Sequence, residues 1–336
     1  MNKVKVFIAE HNNPWFNLAT EDWLFKNFPS DEHILFLWRN SPCIVIGRFQ
    51  NPWIECNLGA METDGITLSR RQSGGGAVYQ DLGNTNFTFM SPIDSYDVQR
   101  NFSIILNAIK RFGIEGVASG RNDLLVDDKK FSGSAFKKNS KKAFHHGTML
   151  INANMGALPL YLTPDKEKLV SKGIRSVASR VTNLSTVEPS ITHTALCDAI
   201  IEEFFETYQS RVEVEPLRLE DLSKEPTLNE TYKEYSSWQW LYGSSPHFSH
   251  PISKRFDWGR ITFDFTVKKG IIEEVSLSSD ALSVEFIEFL QKILPSTPYT
   301  KDEIYQRIVT MSKQELPSFL ASMALDVANL LQKECI

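Results

Sequence analysis

The chain has 336 residues, of which 42% are hydrophobic and 22 are phenylalanines, so it can bury a sizeable core. A chain of this length buries roughly three quarters of its unfolded surface, which excludes a mainly disordered protein and any need for disulfide or metal cross-links. Its 36 basic and 41 acidic residues give a net charge of -5. This balance argues against nucleic acid or an anionic membrane as the main partner.

The cysteines are scattered without C-x-x-C spacing, at Cys43, Cys56, Cys197 and Cys335. They indicate neither a zinc site nor a disulfide framework, so we expect a reducing compartment. The N-terminus offers only the apolar run 6–9 before Glu10, which is too short for a signal peptide or a membrane span. We therefore predict a cytoplasmic protein.

In chain order, the first predicted helix begins near Pro14, because Phe16, Leu24 and Phe28 recur on one helical face after two asparagines. β-branched and aromatic runs then predict strands at 33–38, 43–49, 66–70, 77–80, 86–91, 124–127, 130–131 and 148–152. A helix over 102–112 lies between these strands, and Gly113 is suited to end it.

Beyond residue 153 the sequence predicts helices at 165–172, 192–208 and 233–240, and strands become scarce. A stretch rich in Gly, Ser, Pro and His indicates a linker at 245–252. A hairpin across Lys269 and Gly270 follows, with strands at 256–268 and 271–277, and then helices at 281–293, 301–311 and 317–332. We predict an α+β fold, with a large domain at 1–244 that holds a mixed sheet and flanking helices, and a small α+β domain at 253–336.

Three successive glycines, Gly74, Gly75 and Gly76, join two of the predicted strands. Ordering glycines costs more backbone entropy than ordering other residues, so a triplet indicates positive φ or a close approach of backbone to a ligand. The exposed N–H groups of such a loop can bind a carboxylate or phosphate, and Arg70 and Arg71 would add positive charge for the same anion. The alternative is a flexible hairpin loop with a solvated arginine pair.

Common nucleotide and zinc motifs are excluded. A Walker A loop needs Gly-Lys-Ser/Thr where Ala77 and Val78 stand, and the dinucleotide fingerprint needs Gly in place of Tyr79. His145 and His146 are adjacent on a predicted strand and point to opposite faces, so they do not form a zinc pair.

A second dense stretch contains Asp123, the pair Lys129 and Lys130, and a Ser-Gly-Ser segment at 132–134 that we interpret as a turn. A lysine beside such a turn can offset negative charge on an acyl or phosphoryl oxygen. Asp123 could help to hold a Mg²⁺ ion bound mainly by nucleotide phosphates. The alternatives are a solvated hairpin corner for the lysines and a turn or capping role for Asp123.

Taken together, these stretches resemble the motif set of the lipoate-protein ligase A family, within the lipoate and biotin protein ligase superfamily. The resemblance covers essentially the whole chain and includes the segments 70–81, 83–84, 120–123, 130–135 and 145–148. The chain departs from the family pattern at Gln80, where the family often has His, and in a short hairpin at 126–130.

The resemblance implies an enzyme that activates lipoate with ATP to lipoyl-AMP, releasing pyrophosphate, and then transfers the lipoyl group to a lysine of an acceptor domain. The acceptors would be 2-oxoacid dehydrogenase subunits and the glycine cleavage H protein. ATP and Mg²⁺ would serve as co-substrate and activator, no cofactor would be tightly bound, and the enzyme would be a monomer. The alternatives are an ATP-independent octanoyl or lipoyl transferase with a cysteine nucleophile, and a non-catalytic lipoate-binding module.

The resemblance also implies roles for particular residues, with Lys130 as the catalytic group that bridges the lipoate carboxylate and the α-phosphate. The residues implied for ATP and adenylate are Arg71, Ser73, Gly75, Gly76, Ala77, Val78, Tyr79, Asn122, Lys130 and Thr148. Those implied for lipoate are Glu21, Trp38, Gly76, Lys130, Phe144 and His146. Asp123 is the implied Mg²⁺ ligand.

Overall fold

The computed structural model describes residues 3–120, 122–162, 181–237, 239–243, 252–268 and 271–334. The predicted helix at 165–172, the hairpin turn at Lys269 and Gly270, and all but the last residue of the predicted linker lie outside the described residues, as do Arg121, Trp238 and Cys335.

The strands are β1 (Lys3–Ala9), β2 (Glu32–Trp38), β3 (Cys43–Ile46), β4 (Thr67–Arg70), β5 (Val78–Gln80), β6 (Asn84–Pro92), β7 (Val117–Ser119), β8 (Asp123–Val126), β9 (Lys129–Lys138), β10 (Lys142–Leu150), β11 (Val214–Leu217), β12 (Ile252–Phe256), β13 (Gly259–Lys268) and β14 (Ile271–Ser279). The α-helices are α1 (Pro14–Asn27), α2 (Pro52–Glu55), α3 (Leu58–Thr63), α4 (Val98–Lys110), α5 (Leu158–Tyr161), α6 (Leu184–Val187), α7 (His193–Tyr208), α8 (Pro226–Tyr235), α9 (Val284–Ile293), α10 (Lys301–Glu315) and α11 (Ala321–Glu334).

Helix ends follow the local signals of the sequence. The Asn13 side chain accepts hydrogen bonds from the backbone N–H groups of Trp15 and Phe16, so it caps α1 one residue before Pro14. Thr192 caps α7 in the same way. Gly113 lies just beyond α4 with a φ of +76°, a conformation that glycine adopts without strain.

The large sheet contains eight strands in the order β11-β1-β2-β6-β10-β9-β8-β7. β1 runs parallel to β2 and to β11, and the other neighbours are antiparallel, which confirms the predicted mixed sheet. A second sheet has three strands in the order β4-β3-β5, and the glycine triplet joins two of its strands, β4 and β5.

The two faces of the large sheet are covered differently. Phe87 and Phe89 of β6 point to the face that packs against α4 and α7, in a cluster with Phe102 and Phe204. Phe36, Trp38 and other side chains of the opposite face pack against α1 and the three-stranded sheet. Alternation along each strand therefore separates a plain helix-packed core from a face that carries polar groups.

The C-terminal region, residues 252–334, contains the sheet β12-β13-β14 and the helices α9 to α11. Its apolar side chains form their own buried cluster, which Phe49 of the N-terminal region joins. Ser279 N donates to Phe49 O at 3.0 Å, so this region packs directly on the chain just beyond β3. Among the described helices, none is long and apolar enough to cross a membrane.

Some sequence predictions were wrong. The segment 132–134 is not a turn but lies in the middle of β9, because Gly133 lies opposite Thr148 of β10, where the missing side chain leaves room for Lys130. The helix predicted at 233–240 is α8, which begins at Pro226, and it is followed by a π-helical turn at Gln239–Gly243. Strands β1, β7, β11 and β12 were not predicted.

Candidate active site

The register of the large sheet collects several predicted site residues on one face. Residues directly opposite each other on neighbouring strands point to the same side. His146 of β10 lies opposite Thr88 of β6, and Thr148 lies opposite Gly133 of β9. Trp38, Phe144, His146 and Thr148 therefore share the face that α1 and the three-stranded sheet cover.

A β-bulge in β9 places Lys130 on this face. Ser132 pairs with Leu124, whereas Lys130 pairs with Leu125, so one extra residue is inserted in β9. The insertion reverses the alternation and puts Lys130 on the same side as Gly133 and Asp123. Lys130 Nζ lies 2.7 Å from Asp123 Oδ1, and about a third of each side chain is exposed.

The space above Gly133 is filled by Lys130. A Cβ atom at this position would lie 2.7 Å from both Cε and Nζ of that lysine. A side chain at this position would displace the lysine from its observed path, and the ammonium group lies partly exposed on this face of the sheet. Asn122 supports this corner, since its backbone carbonyl accepts from Ser134 N at 2.8 Å.

The three glycines of the loop have different surroundings. Gly75 has a φ of +93°, and its N–H donates to Ala281 O of the C-terminal region at 2.8 Å. A Cβ atom at Gly74 would lie 2.0 Å from the same oxygen. Gly76 has no atom within 4 Å of the position of a Cβ, so it is the glycine whose backbone faces open space.

Arg70 does not contribute to an anion site. Its side chain is completely buried, and its guanidinium donates to the carbonyls of Gln50 at 2.7 Å, Trp240 at 2.9 Å and Leu241 at 2.7 Å. Burial lowers the pKa of Arg70 to about 9, with the charge of nearby Arg48 as a further cause. The expectation that Arg70 adds charge for a ligand was wrong, because the chain uses it as a structural connector.

Arg71 is also buried and shapes the loop. It donates to Gly74 O at 2.6 Å and Gly76 O at 2.9 Å through Nη2, to Val45 O at 3.0 Å through Nη1, and to Ser73 Oγ at 3.0 Å through Nε. Burial lowers the pKa of Arg71 to about 10, and the charge of Glu21 opposes that shift. Contact with a phosphate remains a prediction for this residue.

A buried hydrogen-bond chain connects the loop to the sheet. Ser73 Oγ lies 2.7 Å from His146 Nε2, and His146 Nδ1 lies 2.8 Å from Glu21 Oε1. Thr88 donates to the same carboxylate oxygen at 2.6 Å and accepts from Trp38 Nε1 at 3.1 Å. All five side chains are less than a tenth exposed.

The chemistry of the groups fixes the direction of this chain. An indole N–H can only donate and a carboxylate can only accept, so the Thr88 hydroxyl proton points to Glu21. The same carboxylate keeps a proton on His146 Nδ1, and in the neutral imidazole Nε2 then accepts from Ser73. Thr88 was missed by the sequence analysis, although its place between Asn86 and Met90 on one strand face could have indicated it.

Aromatic rings surround the hydrogen-bond chain. Phe36 and Trp38 stack with ring centroids 6.1 Å apart, and Phe144 lies 5.0 Å from His146. Phe25 of α1 contacts Phe144 edge to face at 5.2 Å. This face therefore combines an apolar wall with a few fixed polar groups, which is the character of a small-molecule site.

The remaining predicted residues are close in sequence to those above, but not all of their side chains point to this face. Ala77 precedes β5, Val78 pairs with Val45, and the Tyr79 ring stacks on Tyr161 at 6.0 Å. Burial raises the pKa of Tyr79 to about 12. Gln80 stands where the family often has His. It is buried in an amide network, where it accepts from Asn40 at 2.8 Å, so its role here is structural.

The adjacent histidines point to opposite faces, as predicted. The His145 ring packs among Phe87, Phe102 and Phe136, and burial lowers its pKa to about 3. In the described part of the chain, no cluster of three or more His, Cys, Asp or Glu side chains could hold a metal ion.

Cys43, Cys56 and Cys197 are buried and unbridged. Burial raises the pKa of all three thiols, to about 12 for Cys56 and Cys197. None of them belongs to the face that carries Lys130, so none is suited to act as a nucleophile.

Comparison with known proteins agrees with these features. The model of the lipoyl protein ligase A/B catalytic domain matches residues 13–205, and that of the bacterial lipoate protein ligase C-terminus matches residues 245–328. The chain is 51% identical over 307 residues to lipoate-protein ligase A of Psychrobacter cryohalolentis, covering 90% of this chain and 91% of the relative. The chain belongs to the lipoate-protein ligase A family. It is therefore a ligase.

Two solved structures are also similar to the chain. The structure of LipL1 of P. falciparum in complex with lipoate is 36% identical with a TM-score of 0.86, and the match covers 98% of this chain and 99% of that one. A bipartite lipoate protein ligase of Thermoplasma acidophilum, described with its E2 lipoyl domain, is 25% identical with a TM-score of 0.63. That match covers 71% of this chain and 96% of the archaeal chain.

Proposed function

We propose that this lipoate-protein ligase activates lipoate with ATP to lipoyl-AMP, releases pyrophosphate, and transfers the lipoyl group to a lysine of an acceptor domain. The observation that carries the proposal is the face of the large sheet that holds both Lys130 and the buried chain, which Ser73 connects to the glycine loop. Adenylation and transfer would use this one face.

Lys130 would act in the first step. A carboxylate that attacks a phosphate brings two negative groups together, and an ammonium group between them lowers that repulsion in the transition state. The bulge and Gly133 place the partly exposed Nζ on this face, and Asp123 would keep the side chain extended until substrates bind. The N–H groups around Gly76 would bind the adenylate.

The aromatic wall would receive the lipoyl tail. Burying the tail gains about 0.8 kcal/mol for each CH₂ group. Trp38, Phe144 and His146 would line this slot, and Glu21 would hold the imidazole in place.

Asp123 would hold Mg²⁺ together with nucleotide phosphates. One carboxylate beside a lysine is consistent with an ion that takes most of its ligands from phosphate and water. When bound, the ion would neutralise phosphate charge. Lys130 then remains the protein's own cation for the reacting oxygens.

The second step needs a neutral lysine on the acceptor. A free lysine has a pKa of about 10.4, so the site must favour the loss of a proton as the amine attacks. The proposed acceptors are the lipoyl domains of 2-oxoacid dehydrogenase complexes and the glycine cleavage H protein. We also propose that the enzyme is a monomer and that it acts in the cytoplasm.

A thiol-dependent transferase is the less favoured function. Its nucleophile would be a thiolate, and burial raises the pKa of Cys43, Cys56 and Cys197 above that of an ordinary thiol. Membership of a ligase family also argues against a non-catalytic lipoate-binding module.

Lipoate-dependent exchange of pyrophosphate into ATP tests the proposal. We expect exchange that requires both lipoate and Mg²⁺, followed by transfer to an apo lipoyl domain. Transfer in the absence of ATP, with no exchange, would contradict the proposed function.

A further inference from the structure

A group of lysines lies at the tip of the β9–β10 hairpin and on the neighbouring turn of α1. We call it the lysine cluster; its members are Lys26, Lys137, Lys138, Lys141 and Lys142. Four of these five residues fall within six positions of a chain whose net charge is -5. Such a local excess is opposite in sign to the whole molecule.

The cluster surrounds a concave surface. An open cavity of 480 Å³ is lined by four of the lysines, by Phe25 and Phe28, and by two polar residues of the loops. Lys137 and Lys142 lie 5.7 Å and 5.5 Å from the Phe25 ring, and Lys142 donates to Phe28 O at 2.8 Å. These contacts hold the charges in place, so less side-chain entropy is lost when an anion binds.

Direct ion pairs balance only part of this charge, although Glu288 attracts Lys137 and further carboxylates line a cavity beside Lys138. Asp22 is buried, lies 2.6 Å from Lys26 Nζ and 3.8 Å from Lys137 Nζ, and is shared between them. Within the described ranges, no carboxylate is within ion-pair distance of Lys138, Lys141 or Lys142. Burial and the neighbouring Lys141 lower the pKa of Lys142, so the charges repel each other in the free protein.

The cluster is continuous with the candidate active site. Lys137 Nζ donates to Gln72 Oε1 at 3.2 Å, and Gln72 immediately precedes Ser73 of the buried chain. Along β9, Lys137 is seven residues from Lys130, which corresponds to about 23 Å at about 3.3 Å per residue. A small domain of about 100 residues has a radius of gyration of about 13 Å, so one docked domain can cover both places.

We propose that the lysine cluster is the docking surface for a carboxylate-rich face of the acceptor domain. This inference depends on the proposed function, because it assigns the protein partner of the transfer step. Opposite charges would guide the acceptor to the hairpin and set the direction from which its lysine approaches Lys130. The nucleotide is a less suitable occupant, because Asn122, Lys130 and Thr148, which are predicted to bind it, lie at the other end of β9 and of its neighbouring strands.

Charge reversal at two exposed members of the cluster on the hairpin tests the inference. We expect Lys138→Glu combined with Lys141→Glu to raise the KM for an apo lipoyl domain at least about tenfold and to leave kcat nearly unchanged. Lipoate-dependent pyrophosphate exchange should stay at the wild-type rate. The steep decrease of the wild-type transfer rate with salt should become shallower in the variant.

A matched control reverses two lysines of α10, Lys301→Glu with Lys313→Glu, which changes the net charge equally on a helix that holds no member of the cluster. An acceptor KM that rises equally in both variants, or in neither, would overturn the docking surface. A loss of pyrophosphate exchange in the hairpin variant would also overturn it, because the cluster would then serve ATP.

Failure of the proposed function gives a different result. If the wild-type protein shows no exchange at all, equilibrium binding of the apo lipoyl domain at low salt still tests the surface. Binding that the hairpin substitutions leave unchanged would overturn the inference in that case too.

Discussion

Glu21 shows how the site depends on single buried residues. Its carboxylate accepts from Thr88 and contacts His146, and these bonds compensate for its removal from water. A buried network of this kind is stable only when every member has a partner. Removing one member therefore leaves a defined unsatisfied group.

Thr88→Val should test the network without changing the size of the side chain much. The substitution leaves Trp38 Nε1 without its acceptor and Glu21 without one donor, so we expect a loss of about 1–3 kcal/mol in unfolding free energy. Lipoate should bind about tenfold more weakly, which corresponds to about 1.4 kcal/mol, measured by calorimetry.

Thr85→Val is the matched control on the same strand. Thr85 contacts His193 at 2.7 Å, and its substitution should cost stability without weakening lipoate. Equal losses of lipoate affinity in the two variants would show that Thr88 acts only through stability.

Lys130→Ala should abolish lipoyl-AMP formation while the fold is retained, because the side chain is partly exposed and, among the described residues, its one ion pair is with Asp123. Lys129→Ala should be mild, since this neighbouring lysine is exposed. Pyrophosphate exchange and circular dichroism measure the two effects. An equal loss of pyrophosphate exchange in both variants would mean that Lys130 acts only as part of a general basic patch.

The buried His145 should make the stability of the protein depend on pH. Its pKa is about 3 in the folded protein against 6.5 when exposed, so between these values the unfolded chain binds the extra proton. Stability should therefore fall as the pH drops below 6.5, by at most about 1.4 kcal/mol per pH unit for this group. His145→Phe should flatten that slope in urea titrations, and an unchanged slope would mean that other groups cause it.

At the scale of secondary-structure elements, the glycine loop joins the two regions of the chain. Gly75 N–H and Ser279 N–H both donate across this contact, to Ala281 O and Phe49 O. The N–H of Gly75 is therefore already used by the C-terminal region, so the proposed contact with the adenylate would fall to Gly76.

Gly74→Ala should separate the two regions locally, since its Cβ would lie 2.0 Å from the Ala281 carbonyl oxygen. We expect the amides of Gly75 and Ser279 to exchange hydrogen at least about tenfold faster. Gly76→Ala, at a position with open space, should leave both amides protected. Identical exchange in the two variants would argue that the contact does not form in solution.

Local signals in the sequence predicted much of the element order. Asn13 with Pro14, Thr192 and Gly113 mark real helix ends because caps depend on neighbouring residues only. The segment 132–134 was misread because small polar residues are typical of turns, and only the neighbouring strands reveal why they occur in β9. The bulge that orients Lys130 leaves no local signal either.

Only the site residues that belong to family motifs could be predicted from the sequence. Ser73, His146, Glu21 and Trp38 were each named from the resemblance, but the bonds between them depend on sheet register. Arg70 was misjudged because its acceptors at Trp240 and Leu241 are distant in sequence.

For the whole molecule, the predicted division near residue 244 stays a prediction, which the separate apolar cluster of residues 252–334 makes testable. We expect a fragment of residues 1–245 to remain soluble and to be impaired mainly in lipoate activation. Its newly exposed surface would include Phe49, which packs with the C-terminal cluster. Gel filtration and pyrophosphate exchange measure the outcome, and aggregation on expression would indicate one shared core.

The long-range bonds of Arg70 also affect how the protein is made. The Trp240 and Leu241 carbonyls that accept from its guanidinium are 170 and 171 positions further along the chain. At about 5–20 residues per second, the ribosome needs roughly 10–30 s to synthesise that interval. During this time the β4 segment lacks two of its native acceptors, so the site cannot be completed while the nascent chain is shorter. We expect chains truncated before residue 240 to depend on chaperones, whereas the finished protein would not.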